Sequence, residues 1–127
     1  MDGIQKKSIV VKNTGTAVSY VRVKLVMNWV DENGNVSAEP VNITPSITAD
    51  WFEQGGIYYY KMPVAAEDFT TNLLKTPITQ DAAPEGYHLE VTVLAESIQA
   101  APSAAVQQSW GVGVDSNGYL TQPTTTP

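Results

Sequence analysis

The stretch Ala17-Val18-Ser19-Tyr20-Val21-Arg22-Val23-Lys24-Leu25-Val26-Met27-Asn28-Trp29-Val30 decides the fold class. Val21, Val23, Leu25, Met27 and Trp29 recur at every second position, with Arg22, Lys24 and Asn28 between them. A period of two places the first set on one side of an extended chain and the second set on the other, the pattern of a half-buried strand. His88 to Gln99 repeats it, with Leu89, Val91, Val93 and Ala95 alternating with Glu90, Thr92 and Glu96.

Outward from these two rows, the chain reads as short strands separated by turns. Ser8 to Lys12 is a strand by composition, joined to the first row through Asn13-Thr14-Gly15-Thr16. Asp31-Glu32-Asn33-Gly34-Asn35 is a turn whose Asn-Gly pair suits a type I′ hairpin. Ala38 to Ile47 carries Pro40 and Pro45, which restrict it to loop or edge structure. Gly55-Gly56 separates two aromatic runs, Asp50 to Gln54 and Ile57 to Lys61, and predicts a hairpin. Thr70 to Lys75 reads as a further short strand, and Asp115-Ser116-Asn117-Gly118 as another hairpin-like turn. One short helix is predicted, Ser103 to Gln108, with Ser103 as its N-cap after Pro102. This inventory predicts an all-β chain, an antiparallel β-sandwich of jelly-roll or Ig-like type with one short helix. The predicted organisation is one domain over 1–120 and a Thr/Pro-rich tail over 121–127.

Composition narrows function. The 127 residues include no cysteine, which removes disulfide frameworks, thiolate metal sites and cysteine nucleophiles. Seven basic residues stand against thirteen acidic ones, a net charge of −6. A nucleic-acid binder needs clustered basic charge, so no nucleic-acid partner is expected. No apolar run reaches the roughly 18 residues of a membrane span, so no transmembrane segment is expected. Residues 1–7 carry no apolar core of a signal peptide, leaving a cytosolic protein or the mature part of an exported one.

The candidate chemistry is thin. His88 is the only histidine, so a zinc hydrolase site cannot be assembled from this chain. A Ser-His-Asp triad would need His88, but no Gly-x-Ser-x-Gly elbow occurs and His88 opens a strand. Asp31, Asn33 and Asn35 have the spacing of calcium-loop ligands, yet Val36 and Asn42 stand where the loop wants Gly and a bidentate acid. No catalytic, cofactor or metal residue is therefore expected, and the protein is read as not an enzyme. Trp51, Phe52, Tyr58 and Tyr60, with Tyr59 among them, are the candidate binding aromatics, a stacking platform for sugar or peptide, although core packing and cross-strand pairing is the favoured reading of the cluster. Alternation sets neighbours on opposite faces, so either Trp51 and Tyr59 are core with Tyr58 and Tyr60 on the surface, or the reverse. Arg22 and Lys24 read as solvated charge with cross-strand partners such as Glu90. Asn42-Ile43-Thr44 matches a glycosylation acceptor pattern common by chance.

The succession Val11-Lys12-Asn13-Thr14-Gly15, Tyr20-Val21-Arg22-Val23, Tyr58-Tyr59-Tyr60-Lys61, Ala95-Glu96-Ser97-Ile98-Gln99-Ala100 and Ser109-Trp110-Gly111 resembles the TasA/camelysin-type exported proteins of Gram-positive bacteria. The resemblance covers most of residues 8–115. It implies a jelly-roll-like sandwich, export by a SipW-type peptidase, and a role as a cell-surface or biofilm-matrix subunit. In fibre-forming members, subunits join by donating a strand. Such members usually carry a further N-terminal strand region before the segment matching Ser8, and their acidic-Gly turn reads here Ala65-Ala66-Glu67-Asp68. The metalloprotease activity described for some members is not carried over, since His88 stands alone.

The expected function is therefore an extracellular structural or interaction protein that self-associates through sheet edges or strand donation, its partners being copies of itself or other surface proteins. A carbohydrate- or peptide-binding module using the aromatic cluster is the alternative.

Overall fold

The computed structural model describes residues 4–6, 8–79 and 83–122. In chain order the elements are strands Ile4–Lys6 (β1), Ser19–Asp31 (β2), Trp51–Gln54 (β3), Ile57–Tyr60 (β4), Ile78–Thr79 (β5) and Tyr87–Gln99 (β6), helix Ser103–Trp110 (α1), and strands Gly113–Val114 (β7) and Leu120–Thr121 (β8). The fold is all-β and antiparallel. The two alternating rows become the two long strands, paired without a shift from Ser19 opposite Gln99 to Asp31 opposite Tyr87. Neither strand contains a proline or glycine to interrupt that ladder. Among the described residues they belong to a sheet of order β3-β4-β2-β6, beside two small ladders, β1-β5 and β7-β8.

Both faces of the four-stranded sheet are covered at the β3–β4 end. On one face Val21, Val23 and Trp29 of β2, Tyr58 and Tyr60 of β4, Trp51 of β3 and Leu89 of β6 pack with Ile9, Val64, Leu73, Leu74 and Ile78. On the other, Tyr20, Phe52 and Tyr59 pack with Val106 of α1, Val112 and Leu120. A sheet with two apolar covers buries consecutive residues. That is why Tyr58, Tyr59 and Tyr60 are buried together, at 8%, 4% and 5% exposure, and neither of the two alternative facings read from the sequence holds.

The layer over the first face is built from irregular chain. The segment expected as a strand from Ser8 to Lys12 forms only an isolated bridge, Lys12 to Phe69. Its main chain runs antiparallel to residues 67–73, but side chains replace part of the ladder: Ile9 N–H donates to Asn72 Oδ1 (2.8 Å) and Val11 N–H to Thr70 Oγ1 (3.0 Å). Asn72 also binds the N–H and C=O of Leu74, which breaks the strand expected over Thr70 to Lys75. Residues 46–48 complete the layer through Thr48 N–H to Leu73 C=O and Lys75 N–H to Ser46 C=O.

The turns differ in kind. Gly55 and Gly56 both have positive φ (62° and 84°) between Gln54 and Ile57, the two-residue I′ hairpin that such a pair favours. At Asn33-Gly34 only Gly34 is left-handed, so the expected type I′ turn is not formed. The Asp31 carboxylate takes the N–H groups of Asn33 and Asn35, both at 2.9 Å, and this bridging selects the other turn. Helix α1 starts where expected but its N-cap is Pro102, with no side-chain cap, not Ser103. It runs two residues past Gln108, to Gly111 at φ 67°, whose N–H closes onto Gln107 C=O. Thr121 lies in β8 and Gln122 Nε2 donates to Glu53 C=O, so the chain stays engaged past residue 120. The rest of the expected tail, 123–127, lies outside the described residues.

Candidate functional site

Trp51, Phe52, Tyr58 and Tyr60 do not form a ligand platform. They are 2%, 7%, 8% and 5% exposed, because the β3–β4 hairpin lies between the two cores. Trp51 packs on Tyr60 with centroids 5.0 Å apart, and Phe52 stacks on Tyr59 at 5.1 Å. Burial, then the Glu53 charge, pushes the Tyr58 phenol above its ordinary pKa. Burial, then Asp115, does the same to Tyr20, whose hydroxyl donates to Gly118 C=O at 2.6 Å. Both fit core phenols anchored by packing.

His88 lies on β6 with its Nε2 3.5 Å from a Glu90 carboxylate oxygen. Both side chains are about half exposed, and no serine hydroxyl among the described residues bonds to the ring. Glu90 is thus the neighbour of His88, not the partner of Arg22. Arg22 donates from Nε to Glu96 Oε1 at 2.7 Å, beneath the Trp110 ring at 4.6 Å and near that of Tyr59 at 5.9 Å. Asp31, Asn33 and Asn35 bond to one another within their turn. Among the described residues, no three His, Cys, Asp or Glu side chains are placed to hold a metal ion.

The open feature of the molecule is the outer side of β6. Ser19 exchanges main-chain bonds with Val64 on the side of β2 away from β6, and Trp29 C=O accepts from Ser37 on that same side. Main-chain groups alternate along a strand, so the even-numbered residues of β2 bond to the even-numbered residues of β6. The odd-numbered Val91, Val93, Ala95 and Ser97 consequently direct N–H and C=O outward. Leu89, of the same parity, is engaged. Among the described residues, no hydrogen bond meets the outward groups from Val91 to Ser97.

A groove of about 200 Å³ follows this edge, with residues 11–15 as one wall, residues 95–97 as the other and Val21 between them. Its apolar components and free main-chain groups lie side by side, the combination an added β-strand satisfies. Edge strands usually carry lysine, proline or a bulge against such pairing. β6 has none of these; its acids are Glu90 and Glu96, and Glu96 is drawn back by Arg22. The opposite edge, β3, is short, and Gln122 Nε2 occupies the Glu53 carbonyl there. Sequence reading named none of the groove residues as a site. The available signal was the fall from Val91 and Val93 to Ala95 and Ser97 along one face, where a strand expected to pack has nothing large to pack with.

No helix among the described residues is long and apolar enough to cross a membrane. The chain matches no family model, no curated protein and no solved structure.

Proposed function

We propose that this chain is an extracellular structural or interaction protein, a cell-surface or biofilm-matrix subunit that self-associates through its sheet edges. The observation that carries the reading is the outer edge of β6, whose outward main-chain groups from Val91 to Ser97 meet no hydrogen bond among the described residues and lie beside a groove of mixed polar and apolar lining. Such an edge lowers its free energy by accepting a strand, and a neighbouring subunit is the constant source of one in a matrix. The resemblance to TasA/camelysin-type proteins supports export and assembly. In this reading the architecture is a sandwich of jelly-roll or Ig-like type, the four-stranded sheet forming one layer and the irregular segments 9–13, 46–48 and 67–75 the other. The carbohydrate alternative rested on exposed rings, and those rings are buried.

Light scattering and electron microscopy of the purified protein over rising concentration test the reading. Oligomers or fibres are expected. A monomer that persists to the solubility limit overturns it.

A further inference from the structure

We infer that the strand accepted by β6 is the β6 of a second copy, running antiparallel about a two-fold axis at Leu94. This rests on the edge-association reading and adds the partner and the register. Four observations converge on that axis.

The first is main-chain parity. Antiparallel neighbours bond where both residues direct their groups toward each other. With the axis at Leu94, Val93 faces Ala95 of the second copy and Val91 faces Ser97, all four with outward groups that meet no hydrogen bond among the described residues. The arrangement closes on itself, as an isologous interface must.

The second is size. On the face shared with the groove, Val91 and Val93 are large, while Ala95 and Ser97 are small and exposed. The two-fold sets the large half of each strand beside the small half of the other, so the valines of one copy enter the groove above Val21 of its neighbour. Each copy fills the other once.

The third is charge. Moving the axis to Val93 would oppose Glu90 to Glu96 twice, and moving it to Glu96 would oppose that residue to itself; like charges directly opposite are unfavourable. An axis at Thr92 would set the already engaged Leu89 against Ala95 and leave only the Val91–Val93 pairs, whereas at Leu94 Leu89 falls at the last pair, with Gln99, outside the two inner pairs. An axis at Ala95 sets Ala95 against itself and carries Val91 past the groove to Gln99.

The fourth is Leu94 itself. It points to the opposite face of the sheet and is 49% exposed. At the axis it lies against its own copy, which removes both leucines from water.

The chain has no cysteine, so Leu94→Cys introduces a sole thiol. At a directly opposed, non-hydrogen-bonded pair the Cα atoms are about 4.5 Å apart, inside the roughly 4.4–6.8 Å that a disulfide spans. Mild oxidation of L94C should give a covalent dimer. Thr92→Cys or Glu96→Cys alone should not, each being separated from its own copy by four residues of strand, whereas a mixture of the two should cross-link, since Thr92 faces Glu96. Ala95→Pro removes only an outward N–H and leaves the ladder to β2 intact, so by light scattering it should abolish the dimer without changing the far-ultraviolet circular dichroism. Cross-linking of T92C as readily as L94C, or an A95P variant that still pairs, overturns the register. Wild-type oligomers with no L94C cross-link would overturn this inference and leave edge association standing. A wild-type monomer at every concentration would remove both.

Discussion

Arg22 and Glu96 sit opposite each other on β2 and β6, joined at 2.7 Å, and the Arg22 guanidinium lies 4.6 Å from the centre of the Trp110 ring. One cation thereby ties the two long strands to the helix that covers their second face. The Glu96 side chain is 64% exposed, so its charge is largely screened. An exposed pair contributes at most about 1 kcal/mol. The stem and guanidinium of Arg22, 18% exposed, cover aromatic surface as well as carry charge. Arg22→Ala should therefore cost about 1–2 kcal/mol in urea unfolding, and Glu96→Gln less than about 0.5 kcal/mol. Equal losses in the two variants would show that the ion pair, not the ring contact, fastens the helix.

Asn72 holds the irregular layer by standing in for main-chain acceptors. Its Oδ1 receives Ile9 N–H and Leu74 N–H, and its Nδ2 donates to Leu74 C=O. Asn72→Ala leaves these groups without partners next to buried Ile9 and Leu73, at about 1–3 kcal/mol for each stranded group. A loss of about 2–4 kcal/mol is expected, measured by chemical denaturation, with Asn72→Asp less damaging because it keeps the acceptor. A change below about 0.5 kcal/mol for the alanine variant would mean that the layer is held by packing alone.

The same residue shows where legibility ends. The long strands were readable because period-two alternation over thirteen residues admits one backbone conformation. The Gly55-Gly56 hairpin was readable because its turn needs two left-handed residues. Ile9 and Val11 have the composition of a strand, yet their bonds go to the side chains of residues some sixty positions away, which no local pattern encodes. The burial of three successive tyrosines was hidden for a related reason: it depends on a helix docking from the far end of the chain, through Val106 and Trp110. The alternation revealed that β6 is a strand, but not that it ends the sheet. Edge position is a property of strand order, which depends on pairings that sequence spacing leaves open.

Glu67 is, among the described residues, the single non-glycine with positive φ, at 68°. It turns the chain at Ala65 to Asp68, where Asp68 N–H closes onto Ala65 C=O and Glu67 N–H reaches Asn13 C=O. A side chain in this region costs about 1–2 kcal/mol, since Cβ crowds the following carbonyl. Glycine removes that strain but adds roughly 0.4–1 kcal/mol of unfolded-state entropy. Glu67→Gly should therefore stabilise the fold by about 0.5–1 kcal/mol, with Glu67→Asn falling between. Thermal melts monitored by circular dichroism measure it, and a lower melting temperature for the glycine variant would contradict the strained turn.

The turn at Asp31 should respond to acid. The Asn35 main-chain N–H above all holds the Asp31 carboxyl below its ordinary range; partial desolvation opposes it, and the N–H groups of Asn33 and Gly34 and the Asn35 side chain add to the lowering. A folded pKa below the unfolded one makes the contribution fully present above the unfolded value, near pH 4, and lost as pH falls through the folded value. The carboxylate bonds lie on an exposed surface turn, so the effect is local rather than global. Amide resonances of Asn33 and Asn35 should hold steady from neutral pH to about pH 4 and then move together as the carboxylate protonates and releases both N–H groups. Asp31→Asn should remove that low-pH transition while leaving the Gly34 turn closed by its own bond to the Asp31 main-chain carbonyl, 3.0 Å away in the native chain. Titration of either amide at or above the ordinary aspartate pKa would show that the carboxylate does not organise the turn.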